Sequence, residues 1–236
     1  MKKSWVYLFF SLCLSFKAFA FFESCRTFFP NSTVPITDQT GRDLCFDSFA
    51  VFYSPATKKP IYVVEKLNRD RLLKAHEKRT NHFYEEARLR ANERSTLRDY
   101  AGSGYDRGHN APAGDMADEN SMAQSFSLAN MMPQAPENNR GVWAKLVEKS
   151  TRQYVLNRAQ GDVFVFTGSV GEGGTIGLSR VVVPTHLFKL VFDQQRGRAW
   201  AYWVENTNDA HLEQPISYEE LKQKTQIDFL LNPKTQ

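Results

Sequence analysis

The stretch Gly104-Tyr105-Asp106-Arg107-Gly108-His109-Asn110-Ala111-Pro112 sets a guanidinium and an imidazole two positions apart between glycines. Run as a strand, it turns Arg107 and His109 to one face and Asp106 and Gly108 to the other. Gly108 leaves room for a ligand or a second backbone to come close. A guanidinium holds phosphate oxygens through paired hydrogen bonds, and a neutral imidazole accepts a proton from water near neutral pH. Together they point to hydrolysis of a phosphodiester.

Working outward, Tyr100-Ala101-Gly102-Ser103 leads into this stretch, and Leu128-Ala129-Asn130-Met131-Met132-Pro133-Gln134 and Asn138-Asn139-Arg140-Gly141-Val142-Trp143 follow it. Shorter segments are Tyr62–Leu67, Phe166-Thr167-Gly168 and Pro184–Lys189. In order and spacing these resemble the DRGH signature, the "LSN-x-x-PQ" element and the "N-x-x-x-W" helix opening of the DNA/RNA non-specific endonucleases of the ββα-metal superfamily. The likeness runs over roughly residues 60 to 205.

The resemblance implies an α+β fold with a mainly antiparallel sheet flanked by helices and a ββα-metal active-site motif. It also implies a Mg²⁺-dependent endonuclease, with Mn²⁺ able to substitute, that cleaves DNA and RNA and leaves 5′-phosphate ends. His109 maps onto the general base, Asn139 onto the metal ligand, Arg107 onto the signature arginine and Asn130 onto a residue that orders the site. An ordinary histidine pKa of about 6.5 leaves the base mostly neutral, as the role requires. The family's glutamate stands four residues after the helix tryptophan, where this chain has Val147, with Glu148 one position later. One residue is about a 100° turn of an α-helix. Either the helix changes register locally, or Glu148 only neighbours the metal's water shell, or it faces solvent; Arg152 carries the same offset. A rival of another class is a catalytically decayed nucleic-acid-binding protein on this scaffold, against which the presence of both His109 and Asn139 argues. A phosphoesterase for small substrates is a second rival, disfavoured because no further Asp/His cluster suggests a two-metal site.

The chain has 236 residues and a formal charge of +4. Its first twenty residues, with Lys2 and Lys3, an apolar run from Trp5 to Phe16 and Ala18-Phe19-Ala20, read as a secretory signal peptide. Lys17 leaves an uncleaved anchor as the alternative. Cleavage removes three lysines and no acid, so the charge falls to about +1 and bulk charge does not announce a nucleic-acid binder. A local basic surface is needed, and Lys66 to Arg98 is a candidate, although Glu77, Glu85, Glu86 and Glu93 interleave with its cations. The expected destination is the periplasm or the medium, and no membrane is involved after cleavage. With Cys13 removed, Cys25 and Cys45 remain and suggest one disulfide in an oxidising compartment. No base-reading module is present, so DNA and RNA are expected to bind through phosphate and sugar.

Residues 21–236 are expected to form one domain with an irregular arm over 21–48. A hairpin is expected over Phe49–Tyr53 and Ile61–Leu67, then a partly helical surface connection from Asp70 to Arg98. Pro133 and Pro136 are read as breaking regular structure. A helix from Trp143 to Ala159 is expected to turn Trp143, Leu146, Val147, Tyr154 and Val155 inward. Strands over Asp162–Thr167, Val181–Phe192 and Ala199–Val204 follow. A C-terminal helix is introduced by Ser217, with Glu220 three positions on as in a capping box. His186 is read as structural, and His76, His82 and His211 as surface residues.

Overall fold

The computed structural model describes residues 21–230; the expected signal peptide, Cys13 included, lies outside them. Among the described residues ten strands form: β1 (Arg42–Cys45), β2 (Phe49–Ser54), β3 (Lys59–Leu67), β4 (Asp106–His109), β5 (Met131–Gln134), β6 (Val163–Val170), β7 (Thr175–Ile176), β8 (Val181–Val182), β9 (His186–Asp193) and β10 (Arg198–Glu205). Six of them build one antiparallel sheet in the order β1-β2-β3-β6-β9-β10. β4 pairs only with β5, and β7 only with β8. The fold is therefore α+β and mainly antiparallel. No helix among the described residues is long and apolar enough to cross a membrane.

Alternation along the strands sends side chains to both faces, and each face is covered. Ala50, Phe52, Tyr62, Val64, Phe166, Phe188 and Leu190 pack beneath Phe22 and Phe29 of the N-terminal arm and Leu221, Ile227 and Phe229 of the C-terminal segment. The arm thus carries core residues, and its last part, β1, joins the sheet edge. The helix Tyr218–Thr225 begins where expected, Ser217 accepting a hydrogen bond from the Glu220 amide at 3.1 Å.

The other face of the sheet carries the module that holds the signature. Val51, Tyr53 and Val63 meet Ala111, Met116, Met122 and Phe126, while Leu187 and Val204 meet Trp143 and Val147. Within this module β4 and β5 lie antiparallel with Arg107 opposite Pro133, so Pro133 belongs to a strand instead of ending one. A two-stranded ribbon tolerates it because an outer edge needs no amide. A helix then runs from Pro136 to Asn157 in three consecutive parts: Pro136–Asn138, a π-helical stretch Asn139–Glu148, and Lys149–Asn157. It starts seven residues before the expected Trp143, with Pro136 in its first turn, a position that needs no amide donor. Two strands and this helix make the ββα unit.

Two further expectations need correction. Leu146, read as inward-facing, is 45% exposed, whereas Trp143, Val147 and Val155 are buried. The stretch from Asp70 to Arg98 is mostly irregular and not simply a surface connection. Its Phe83, Glu86 and Leu89 pack against the signature module, and Glu86 accepts from Ser127 Oγ at 2.9 Å. Within it Arg88 pairs with Glu86 and Arg94 with Glu85, and Lys66 just ahead of it pairs with Asp162, so part of the candidate basic surface is neutralised locally.

Candidate active site

A cleft of about 370 Å³ opens where the end of β4 meets the site helix, and His109, Asn139, Arg140, Glu148, Arg152 and Arg79 line it. β4 supplies His109, the helix supplies the next four, and the irregular connection supplies Arg79. The structure thus brings together His109, Asn139, Glu148 and Arg152. Arg107 does not line the cleft. Its guanidinium lies 4.2 Å from the centre of the Phe83 ring, which also meets His109 at 5.8 Å, so both side chains do share one face of β4. On the other face, the space beside Gly108 is filled by the Gln134 side chain instead of a ligand or a backbone.

His109 is 7% exposed, set edge-on to Phe126, and its Nε2 is buried without a hydrogen-bond partner. Burial, reinforced by the positive charges of Arg79 and Arg107, pushes its pKa down to about 3. The imidazole is therefore neutral throughout the neutral range, and no protein group competes for its proton-accepting capacity.

Asn130 is fully buried and fully committed. Its Nδ2 donates to Ala111 O and Ser125 O, its Oδ1 accepts from the Ala111 amide, and its carbonyl accepts from Asn110 N and Nδ2, all at 2.8–3.0 Å. It fixes the backbone immediately after His109 and, fully buried, is out of a substrate's reach.

The neighbouring asparagines of the helix differ in the same way. Asn138 is buried and bonded to Gln134 and the Glu205 carbonyl. Asn139 gives only its Nδ2, to Asp106 Oδ2 at 2.9 Å. A carboxylate accepts only from the amide nitrogen, so this bond fixes which way the amide lies and leaves Oδ1 as the atom available to a cation. Asp106 also receives Arg140, from Nε at 2.8 Å and Nη2 at 2.6 Å.

The one-residue offset of the glutamate is absorbed by the backbone. Nine positions separate Asn139 from Glu148, and on an α-helix 100° per residue makes two and a half turns, which would put them on opposite faces. In a π-helix hydrogen bonds reach five residues back, giving roughly four and a half residues per turn, so nine positions return to the same face. The stretch Asn139–Glu148 is π-helical and both side chains line the cleft. Glu148 is 13% exposed on its side chain. Burial raises its pKa to about 7, opposed by Lys189 and Arg152 and assisted by Asp115. Arg152 Nη1 lies 3.8 Å from Glu148 Oε2 and donates to Asp115 Oδ1 at 3.0 Å.

Three participants were not found from the sequence. Arg79 lies in a segment without periodicity, where nothing distinguishes it from its charged neighbours. Asp106 sits inside the signature, on the face of β4 opposite the imidazole, and so was not read as the group that orients Asn139. Asp115, buried in the turn after His109, had no partner to suggest it until the helix was in place. His186 behaves as expected, stacked on Trp203 and bonded through Nδ1 to the Thr185 hydroxyl at 3.0 Å. His76, His82 and His211 are exposed.

Comparison with known proteins adds to this geometry. A family model described as DNA/RNA non-specific endonuclease matches residues 31–236. Mitochondrial endonuclease G of Homo sapiens is 35% identical over 164 residues, 64% of this chain and 54% of that protein. Nuclease C1 of Cunninghamella echinulata var. echinulata is 36% identical over 179 residues, covering 69% and 70%. The chain spans about half the length of the mitochondrial relatives it matches. The crystal structure of an EndoG/EndoGI complex contains a chain that superposes with a TM-score of 0.72 at 23% identity, over 84% of this chain and 90% of that one, which shows the same fold.

Proposed function

Because the chain belongs to the DNA/RNA non-specific endonuclease family, we propose that it is a metal-dependent nuclease that hydrolyses phosphodiester bonds in DNA and RNA at this cleft. The observation that carries the reading is the convergence of an unengaged neutral imidazole, an amide oxygen held open, a carboxylate and three guanidinium groups in one cleft. His109 is the general base and takes a proton from the attacking water. Its low pKa keeps it neutral across the neutral range but weakens it as a base, which the negative charge of a bound phosphate offsets. Arg79 and Arg152 draw the phosphate in and oppose the charge that grows on its oxygens. Arg107, stacked on Phe83, keeps a second positive charge near the imidazole.

Asn139 Oδ1 and the Glu148 carboxylate offer hard oxygen donors beside open volume, a set that fits Mg²⁺ or Mn²⁺. Among the described residues no group of three or more His, Cys, Asp or Glu could cage an ion, so most ligands would be waters, as Mg²⁺ prefers. Bound there, a divalent ion supplies Lewis-acid stabilisation of the phosphate and the departing oxygen. Asn139 would hold it directly, and Glu148 would accept hydrogen bonds from its waters.

Release of 5′-phosphate ends and export through the N-terminal segment belong to the same proposal. The guanidinium groups that line the cleft suit phosphate oxygens, which supports a substrate defined by phosphate and sugar. The test is incubation of the mature protein with supercoiled plasmid and with RNA, with Mg²⁺ and with EDTA. Cleavage of both only with the metal is expected. Binding without cleavage at any metal concentration would favour a decayed nucleic-acid-binding protein and sink the nuclease reading.

A further inference from the structure

The interior of the cleft is occupied by side chains that are mostly covered, Glu148 at 13% and Arg152 at 26% exposed, while Arg140 stands on the rim at 67%. It directly follows Asn139 in the chain and lines the same opening. Nothing in the proposed hydrolysis uses it. Its pairing with Asp106 occupies two N–H groups, one on Nε and one on Nη2. A guanidinium carries five donors in a rigid fork, so three remain, two on Nη1 and one on Nη2. Asp106 therefore acts as a clamp that fixes the plane of the fork without exhausting it. The same carboxylate also receives the Asn139 amide, so rim and interior are held in register by one group.

Resting on the nuclease reading above, we propose that Arg140 binds a backbone phosphate adjoining the one that is cleaved. The scissile phosphate must reach His109 and Asn139 inside the cleft, so a chain entering it passes the rim with its next phosphate near Arg140. The three free donors suit a phosphate oxygen pair, and the clamp means little side-chain entropy is lost on contact. Such a contact adds affinity without base preference.

A fluorescein-labelled DNA duplex, titrated with the full chain in EDTA so that it is not cut, measures binding across a salt series. Arg140→Ala is expected to weaken binding roughly tenfold at low salt and to lower the slope of log affinity against log salt by about one. Arg140→Lys should keep most of the slope, because charge is retained. Arg140→Ala with wild-type affinity and slope, in a protein whose wild type binds and cleaves, overturns this inference alone. It would then leave Arg140 only as a brace for Asp106, seen as a higher Mg²⁺ requirement. A wild type that neither binds nor cleaves nucleic acid overturns the nuclease reading and this contact with it.

Discussion

His109 combines two properties that separate its chemistry from its contribution to stability. If His109 is the base proposed above, His109→Ala should lower turnover by on the order of 10² to 10⁴ while leaving nucleic-acid binding nearly unchanged; turnover on plasmid and affinity in EDTA check the two halves. Its pKa, pushed from the usual 6.5 to about 3, makes the folded state refuse a proton that the unfolded chain accepts. The stability it contributes is thus present above about pH 6.5 and lost progressively as pH falls towards 3. Glu148, raised from 4.5 to about 7, acts in the opposite sense between those values, so the difference between wild type and a variant isolates the histidine. Melting temperatures of His109→Gln should fall less steeply below pH 6.5 than those of the wild type; parallel curves would count against a buried neutral imidazole. Asp106 gives a separate prediction at this scale. Asp106→Ala removes the acceptor that orients the Asn139 amide, so it should raise the Mg²⁺ concentration for half-maximal cleavage, as Asn139→Ala does more strongly. Cleavage assays across a Mg²⁺ series measure both. The place of Asn139 beside His109 was legible from its spacing to Trp143, but the group that aims its amide was not. A carboxylate on the opposite face of a strand cannot be assigned to a helix before the two are packed.

The helix from Pro136 to Asn157 shows why element type matters more here than amphipathic pattern. The sequence carries Val147 where the family has its acid, and three readings of Glu148 followed from that. The π-helical stretch selects the first of them, a local change of register. It also explains why Leu146 points outward, since the wider turn rotates positions that a regular α-helix would have placed on the core side. Nothing in the residue types between Asn139 and Glu148 announces a π-helix; only the misfit with the family spacing hinted at it. Glu148→Gln should reduce the rate by about 10 to 100-fold and raise the Mg²⁺ requirement, the usual cost of losing a group that supports metal-bound water. Unchanged kinetics would remove Glu148 from the site. Deleting the exposed Leu146 offers the converse. It brings the acid to the family spacing, so the helix should close to α-pitch with activity retained, as cleavage and the helical signal in circular dichroism would show. The resemblance implied a ββα motif, but β5 was not read as a strand because Pro133 was taken to break it; most strands of the main sheet were foreseen by their β-branched runs. The connection containing Arg79 was not, because no periodic pattern marks a segment held by scattered side-chain contacts and one isolated backbone bridge at Tyr84.

At the scale of the whole molecule, the bond between Cys25 and Cys45 ties the N-terminal arm to β1 on the face of the sheet away from the cleft. Closing a loop of about 20 residues stabilises the fold by roughly 3 kcal/mol in the chain-entropy model. The Cys25→Ser/Cys45→Ser protein should unfold at lower denaturant by that amount and yet cleave at nearly the wild-type rate at low temperature. Loss of activity without loss of fold would mean that the arm reaches the site. The class of the fold and its main antiparallel sheet were readable from strand signals and the absence of regular βα alternation; the strand order was not, because it depends on which distant segments meet. That order has a kinetic meaning. Leu67 at the end of β3 pairs with Val163 at the start of β6, and every cleft residue lies on the chain between them. The central pairing must therefore close a loop of about a hundred residues, at an entropic cost that local turns do not meet and that slows folding. Until that loop is shut, the signature ribbon and its helix have no floor beneath them. A refolding chain would hence lack a complete cleft until β3 and β6 have paired, a delay set by topology.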